Sequence, residues 1–172
     1  MKSILYLTRN GLLEPLGQSQ VMAYLRGLSQ KHTITLITYE KPKDWADITA
    51  ISRAHAECNA HGIQWLPQRF QSYPKIIAPL FSMIRMVWLV RREVIRGDIR
   101  LIHARSYIPA AVALIVSRIT RVPFIFDMRA LWPEELIIAG QLRRGSLIHR
   151  AIVLAERACL AKSAGVISLT HA

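Results

Sequence analysis

Cysteine is scarce in this chain of 172 residues. Cys58 and Cys159 stand alone, without CxxC or Cys/His spacing, which argues against a zinc site and against a disulfide framework and suits a reducing cytosol. Acid is scarce too, with 11 Asp+Glu against 23 Lys+Arg and a formal charge of +12. Such an imbalance calls for an anionic partner: a phosphate-bearing substrate, an acidic lipid or a nucleic acid. No apolar run is long enough to read as a membrane span. The longest, 76–90, is broken by Arg85 and closes on Arg91 and Arg92. Residues 1–8 are too short for a signal-peptide h-region and lead into turn residues, so a secretory leader is not expected. Neither GxGxxG nor the P-loop pattern occurs, and there is no internal repeat, low-complexity stretch or linker. A nucleic-acid module is disfavoured, since neither interleaved aromatics nor a recognition-helix pattern accompanies the basic charge.

What is present is a core. At 52% hydrophobic and 20% charged, the chain is ample for one domain and short for two. Strand and helix patterns alternate along it. A β-prone run at 3–8 is followed by a loop at 9–17 punctuated by Gly11, Pro15 and Gly17, then a helix at about 18–30. The loop at 11–18 admits two readings: a phosphate or sugar contact made by free amides at a helix amino end, or an ordinary strand-to-helix turn. A β-branched strand follows at 33–38, closed by polar residues at 39–44. A weaker helix is expected at 45–60 and a short strand at 63–66. His55 and His61 lack a carboxylate or thiol at ligand spacing and read as surface residues.

An exposed loop at 68–75 leads to a helix at about 75–96. On a helical wheel Lys75, Ser82, Arg85, Arg92, Glu93 and Arg96 gather on one narrow stripe, and apart from Arg91 the rest of the circumference is apolar. Such a helix should bury most of its surface and show a basic strip either to solvent, as a core helix with snorkelling arginines, or to an anionic membrane face.

The stretch 101–135 organises the whole. Leu101 and Ile102 read as a buried strand, His103, Arg105, Ser106 and Tyr107 as a polar cluster, and 109–119 as an apolar helix. A second buried strand at 123–126 ends in another polar cluster: Asp127, Arg129, Trp132, Glu134 and Glu135. Two strands joined by a helical crossover lie parallel, so both clusters emerge at the same carboxyl edge, where open α/β sheets bind ligands. Glu134 and Glu135 suit a helix start, and Trp132 suits packing beneath a loop or stacking on a sugar. Beyond a loop or short helix near Gly140, a helix at 147–162 is expected. Ser146 would cap it, Ile148, Ala151, Ile152, Ala155 and Cys159 would line one side, and Arg150, Glu156 and Arg157 the other. A short buried strand at 165–169 comes last. The order predicts a doubly wound, mainly parallel Rossmann-like sheet, three layers α/β/α.

The runs ILYLTRNGLLEPLGQSQV, IHARSY, FIFDMRALWPEE and AERACLAKSAGVISLT, in that order and spread over essentially the whole chain, resemble the amino-terminal domain of family 4 glycosyltransferases of the GT-B architecture. The resemblance implies transfer of a sugar, with retention, from a nucleotide-sugar to a glycan or lipid-linked acceptor held mostly by this domain. The donor sits on a second Rossmann-like domain. It further implies that the loop bearing Asn10, Gly11, Gly17 and Gln18 approaches the donor phosphate and the transferred sugar. His103, Arg105 and Ser106 lie in the motif with the family's cleft histidine, and Asp127 and Arg129 in the acceptor-side motif. His103 and Asp127 are the catalytic candidates, and the other seven are substrate-binding candidates. No cofactor or metal is implied beyond the nucleotide-sugar itself. The family's second domain carries two glutamates eight positions apart, a spacing absent here. The expectation is therefore a half-enzyme, inactive alone, completed by a missing domain or by a partner chain, and cytoplasmic or peripheral on the inner membrane face.

Overall fold

A computed structural model describes residues 2–70 and 78–168. Its centre is an open sheet of six strands, all parallel, in the order β3-β2-β1-β4-β5-β6. The strands are β1 (Lys2–Thr8), β2 (His32–Glu40), β3 (Ile63–Arg69), β4 (Ile99–Arg105), β5 (Phe124–Met128) and β6 (Gly165–Ser168). The expected doubly wound α/β fold is what the chain forms.

Side chains alternate across the strands, and each face of the sheet acquires its own core. On one face Leu5, Leu7, Ile102, Ala104, Phe124 and Phe126 pack beneath α4 (Ala78–Arg96), α5 (Tyr107–Thr120) and Cys159 of α7 (Leu147–Lys162). On the other, Ile4, Tyr6, Ile34 and Leu36 pack beneath a π-helical segment (Gly17–Met22), its continuation α1 (Ala23–Ser29) and α3 (Ile48–Ala60). Two short helices, α2 (Pro42–Ala46) and α6 (Trp132–Ile138), complete the described elements.

Several expectations are corrected. The helix at 18–30 opens with π-helical turns, shifting every side chain of its first turns off the α-helical wheel. β2 runs on through Tyr39 and Glu40, and Glu40 is fully buried rather than part of a polar closing turn. The helix at 45–60 is two helices, broken at Asp47, whose carboxylate caps the second by accepting from the Ala50 amide at 2.9 Å. β3 continues through Pro67 to Arg69, which an edge strand tolerates because proline's missing N–H falls on the unpaired side. β4 and β5 are longer than read, so His103, Arg105 and Asp127 lie within strands and not after them.

The helix α4 does not bury most of its surface. Met86, Leu89, Val90 and Val94 face the core, whereas Ile84, Trp88 and Ile95 are exposed. A helix in an outer layer meets the sheet along one stripe only, whatever the composition of its remaining circumference. The same holds for α7: Cys159 is buried, Ile148, Ala151 and Ala155 are exposed, and Glu156, expected to face away, takes a hydrogen bond from the Tyr107 hydroxyl at 2.6 Å. β6 is an exposed edge strand rather than a buried one. The expected loop at 68–75 and the first residues of the expected helix at 75–96 fall largely outside the described residues, as does the last residue of the strand at 165–169.

Candidate functional site

The carboxyl ends of β1, β4 and β5 bring the two polar clusters together. Parallel register sets Thr8 beside Arg105 and Arg105 beside Asp127. Because His103, Arg105 and Asp127 share one face of the sheet, all three point beneath the π-helical segment and α1. His103 Nε2 lies 3.4 Å from Asp127 Oδ2. The same carboxylate is 3.9 Å from Arg105 Nη1 and 3.4 Å from Arg129 Nη1. Two arginines against one carboxylate leave the cluster a net positive charge before the imidazole is counted, which favours an anion or an electron-rich oxygen at its mouth.

The cluster is nearly closed. His103 is 3% exposed, Asp127 4% and Arg105 7%, so the expected open wall is a buried group that reaches solvent through a narrow crevice lined by Tyr6, Gln20, Tyr24 and Arg129. The His103 ring sits between two tyrosines, with centroids 4.5 Å from Tyr6 and 5.6 Å from Tyr24. Burial raises the pKa of Tyr6, an effect opposed by Arg105, and Tyr24 is raised by burial and by the Asp127 charge. Both hydroxyls stay protonated over the neutral range.

Gln20 was not singled out by its sequence. Its Oε1 accepts from Arg129 at 2.6 Å and from Arg105, so one amide oxygen ties the two guanidiniums together over the carboxylate. Its placement depends on the π-helical turns, which an α-helical reading of 18–30 cannot reproduce. Tyr6, inside the β-prone run at 3–8, and Tyr24, inside the helix expected at 18–30, supply the aromatic walls.

The glycine loop is organised differently. The Gly11 amide donates to Glu14 Oε1 at 2.9 Å, and the amides of Leu12 and Leu13 donate to Glu40 Oε1 and Oε2 at 2.7 and 3.3 Å. Thr38 Oγ1 donates to Glu40 at 2.6 Å and accepts from Trp65 Nε1 at 2.8 Å. Gln18 Nε2 donates to the Leu12 carbonyl at 2.9 Å, and the Gln18 backbone N–H donates to the Glu14 backbone carbonyl at 3.0 Å. These donors are turned inward, so the loop is a fixed shape and not an open cradle of amides. Glycine is required at 17, where a Cβ would stand 2.2 Å from the Gly11 carbonyl oxygen. Asn10 and Ser106 line a small cavity that shares Arg105 and Arg129 with the crevice, and both also line another cavity on the opposite face of the sheet. Ser106 holds φ 79°, ψ 174°, a conformation that strains any residue but glycine.

The model of the glycosyl transferase 4-like domain matches residues 17–172. The chain belongs to that family. No curated protein matches it. Among solved structures, it is similar to Arabidopsis thaliana UGT89C1 complexed with UDP, at 14% identity and TM-score 0.58, over 98% of this chain and 42% of the other. The complex of the same protein with quercetin gives 14% identity and TM-score 0.56, over 96% of this chain and 42% of that one. A glycosyltransferase from Rickettsia africae ESF-5 gives 16% identity and TM-score 0.47, over 74% of this chain and 29% of that one. The chain thus spans less than half the length of these solved structures. As a glycosyl transferase 4-like domain, it is a Rossmann-like half of the GT-B architecture, with its buried cluster at the sheet edge where open α/β folds take ligands.

Proposed function

We propose that this chain is the acceptor-side domain of a retaining glycosyltransferase, moving a sugar from a nucleotide-sugar to a glycan or lipid-linked acceptor. The observation that carries the reading is the buried group of His103, Asp127 and Arg105, capped by Arg129 and Gln20, at the carboxyl edge beside a glycine-shaped loop. His103 hydrogen-bonds a sugar hydroxyl, and Asp127 holds the imidazole and both guanidiniums in place. Arg129, the most exposed of the charged groups, offers planar donors to a phosphate or carboxylate. The donor is held by a second domain or by a partner chain, and transfer waits for both walls because catalysis requires donor and acceptor to be positioned together. The test is to supply a nucleotide-sugar-binding half, in cis or as a separate chain, and to measure sugar transfer. His103→Ala should abolish most of it, and near-normal turnover would remove His103 from the reaction.

A second element of the proposal is peripheral attachment to the inner face of the cell membrane. Ile84, Trp88 and Ile95 recur on one exposed stripe of α4, about 60% exposed each, and Arg91 and Ile95 share a shallow surface cavity with Ile119 and Arg121 of the α5 end. The Arg92 guanidinium lies 5.1 Å from the Trp88 ring centroid. An apolar strip with basic flanks matches an anionic bilayer surface. No described helix is long and apolar enough to cross a membrane. Sedimentation with vesicles containing phosphatidylglycerol tests the attachment: the chain should pellet with them, and Trp88→Ser with Ile95→Ser should leave it in the supernatant.

A further inference from the structure

On the face of the sheet opposite the buried cluster, at the same carboxyl edge, lies a cavity lined by Arg9, Tyr39, Lys41, Phe70, Ser106 and the amino end of α5. The Arg9 guanidinium stacks over the Phe70 ring at 5.0 Å and has no carboxylate partner among the described residues. Burial lowers its pKa, which means that the protein has partly stripped this cation of water without supplying an anion. Tyr39 is 95% buried, and its hydroxyl has no hydrogen-bond partner among the described residues. The charges of Arg9 and of Arg85 on α4 both reach it. A buried hydroxyl left without a partner has given up its hydrogen bonds to water for nothing, so such groups are uncommon away from sites that meet a ligand.

The helix end makes the same point independently. Ser106, the residue before α5, makes no side-chain cap, and Pro109 brings no amide. The amides of Tyr107 and Ile108 have no acceptor inside the helix, as at every helix start, and none outside it among the described residues. A fourteen-residue helix therefore turns an uncapped positive end toward a cavity that already holds a half-buried guanidinium. The opposing charge is neutralised within the site. Glu14 spends one oxygen on the Gly11 amide and the other on Lys41 Nζ at 2.8 Å.

We propose that this cavity binds a phosphate group, clamped by Arg9, the Tyr39 hydroxyl and the α5 amino terminus, across the strand tips from His103 and Asp127. Asn10 and Ser106 line both this cavity and a smaller one walled by Arg105 and Arg129, so the substituent of a phosphate seated here can extend toward the two guanidiniums beside Asp127. The inference deepens the transfer reading by giving one substrate a phosphate, and it rests on that reading only for which substrate carries it. A phosphorylated acceptor and the donor's nucleoside diphosphate share this chemistry.

Titration calorimetry of the intact chain separates the outcomes. Inorganic phosphate should bind saturably at millimolar concentration. Arg9→Met, which keeps an apolar stem over Phe70, and Tyr39→Phe, which keeps the ring, should each weaken it about tenfold, the loss of one hydrogen bond to a charged group. Circular dichroism would confirm that both variants fold. Competition by a short-chain prenyl phosphate, with none by uridine diphosphate, assigns the site to the acceptor; the reverse assigns it to the donor. No saturable phosphate binding, or binding that neither variant weakens, overturns the proposal. If Arg9-dependent binding holds while the completed assembly transfers no sugar, the phosphate site stands and the transferase reading falls.

Discussion

Two carboxylates stand at the carboxyl edge on the same face of the sheet, Glu40 at the end of β2 and Asp127 in β5, and both are buried. They are used in opposite ways. Glu40 is surrounded by neutral donors, two loop amides and a threonine hydroxyl, and its charge fixes the shape of the 11–17 loop. Asp127 is surrounded by an imidazole and two guanidiniums, groups that can also act on a substrate, and those groups open onto a crevice. A carboxylate satisfied by backbone reads as architecture; one satisfied by cations at a crevice reads as chemistry.

Substitution should separate the two. Asp127→Asn keeps the shape but removes the charge that orders His103, Arg105 and Arg129. In the completed assembly transfer should fall by about a hundredfold, the scale on which loss of a preorganised electrostatic group is felt, with the melting temperature little changed. Glu40→Gln should do the reverse. Gln offers one acceptor oxygen where the carboxylate offers two and turns an amide donor toward the loop's own donors, so unfolding free energy should drop by roughly 1–3 kcal/mol. Denaturant melts of both variants beside a transfer assay check the pair. Loss of stability in the Asn variant and loss of activity alone in the Gln variant would invert the assignment.

The contrast also explains what could be read in advance. The alternation of apolar strand and helix patterns is a local signal, and it placed His103, Arg105, Asp127 and Arg129 at one edge because a helical crossover leaves no other arrangement. Glu40 was invisible. A lone acid after a β-branched run looks like the strand's end, and what buries it is the loop at Leu12 and Leu13, 28 and 27 residues earlier in the chain. Gln20 was invisible for another reason: π-helical turns change the period on which every helical-wheel argument depends. The exposed apolar residues of α4 and α7 were misplaced because composition gives the apolar width of a helix, whereas the neighbouring layers decide how much of that width is covered.

Ser106 sits between the two faces and carries the next prediction. Its φ of 79° with ψ of 174° is a region open to glycine and costly for serine. Ser106→Gly should raise stability by about 1 kcal/mol by relieving that strain, less the extra freedom glycine gains in the unfolded chain. If stability falls instead, the serine side chain contributes more to the fold than its backbone costs.

The smallest effect is a pH slope that reports on the Glu40 side alone. Burial, together with the charges of Glu57 and Glu40, pushes the Cys58 thiol up to about 12 from its ordinary value of 9.0. The unfolded chain ionises this thiol near 9 and the folded chain does not. Its contribution to stability is therefore intact below pH 9 and is lost progressively as the pH climbs toward 12. Cys159, under the opposite face, is raised to about 11, mainly by burial and against the pull of Arg118. Cys58→Ala should flatten the alkaline loss of stability more than Cys159→Ala does, because its window is wider. Glu40→Gln should narrow the Cys58 part of that window, since one of the charges holding the thiol neutral is gone, whereas Asp127→Asn should leave it unmoved. Alkaline denaturation curves for the four variants provide the measurement, and equal slopes in the two carboxylate variants would mean that Glu40 acts on the loop without acting on the core beneath it.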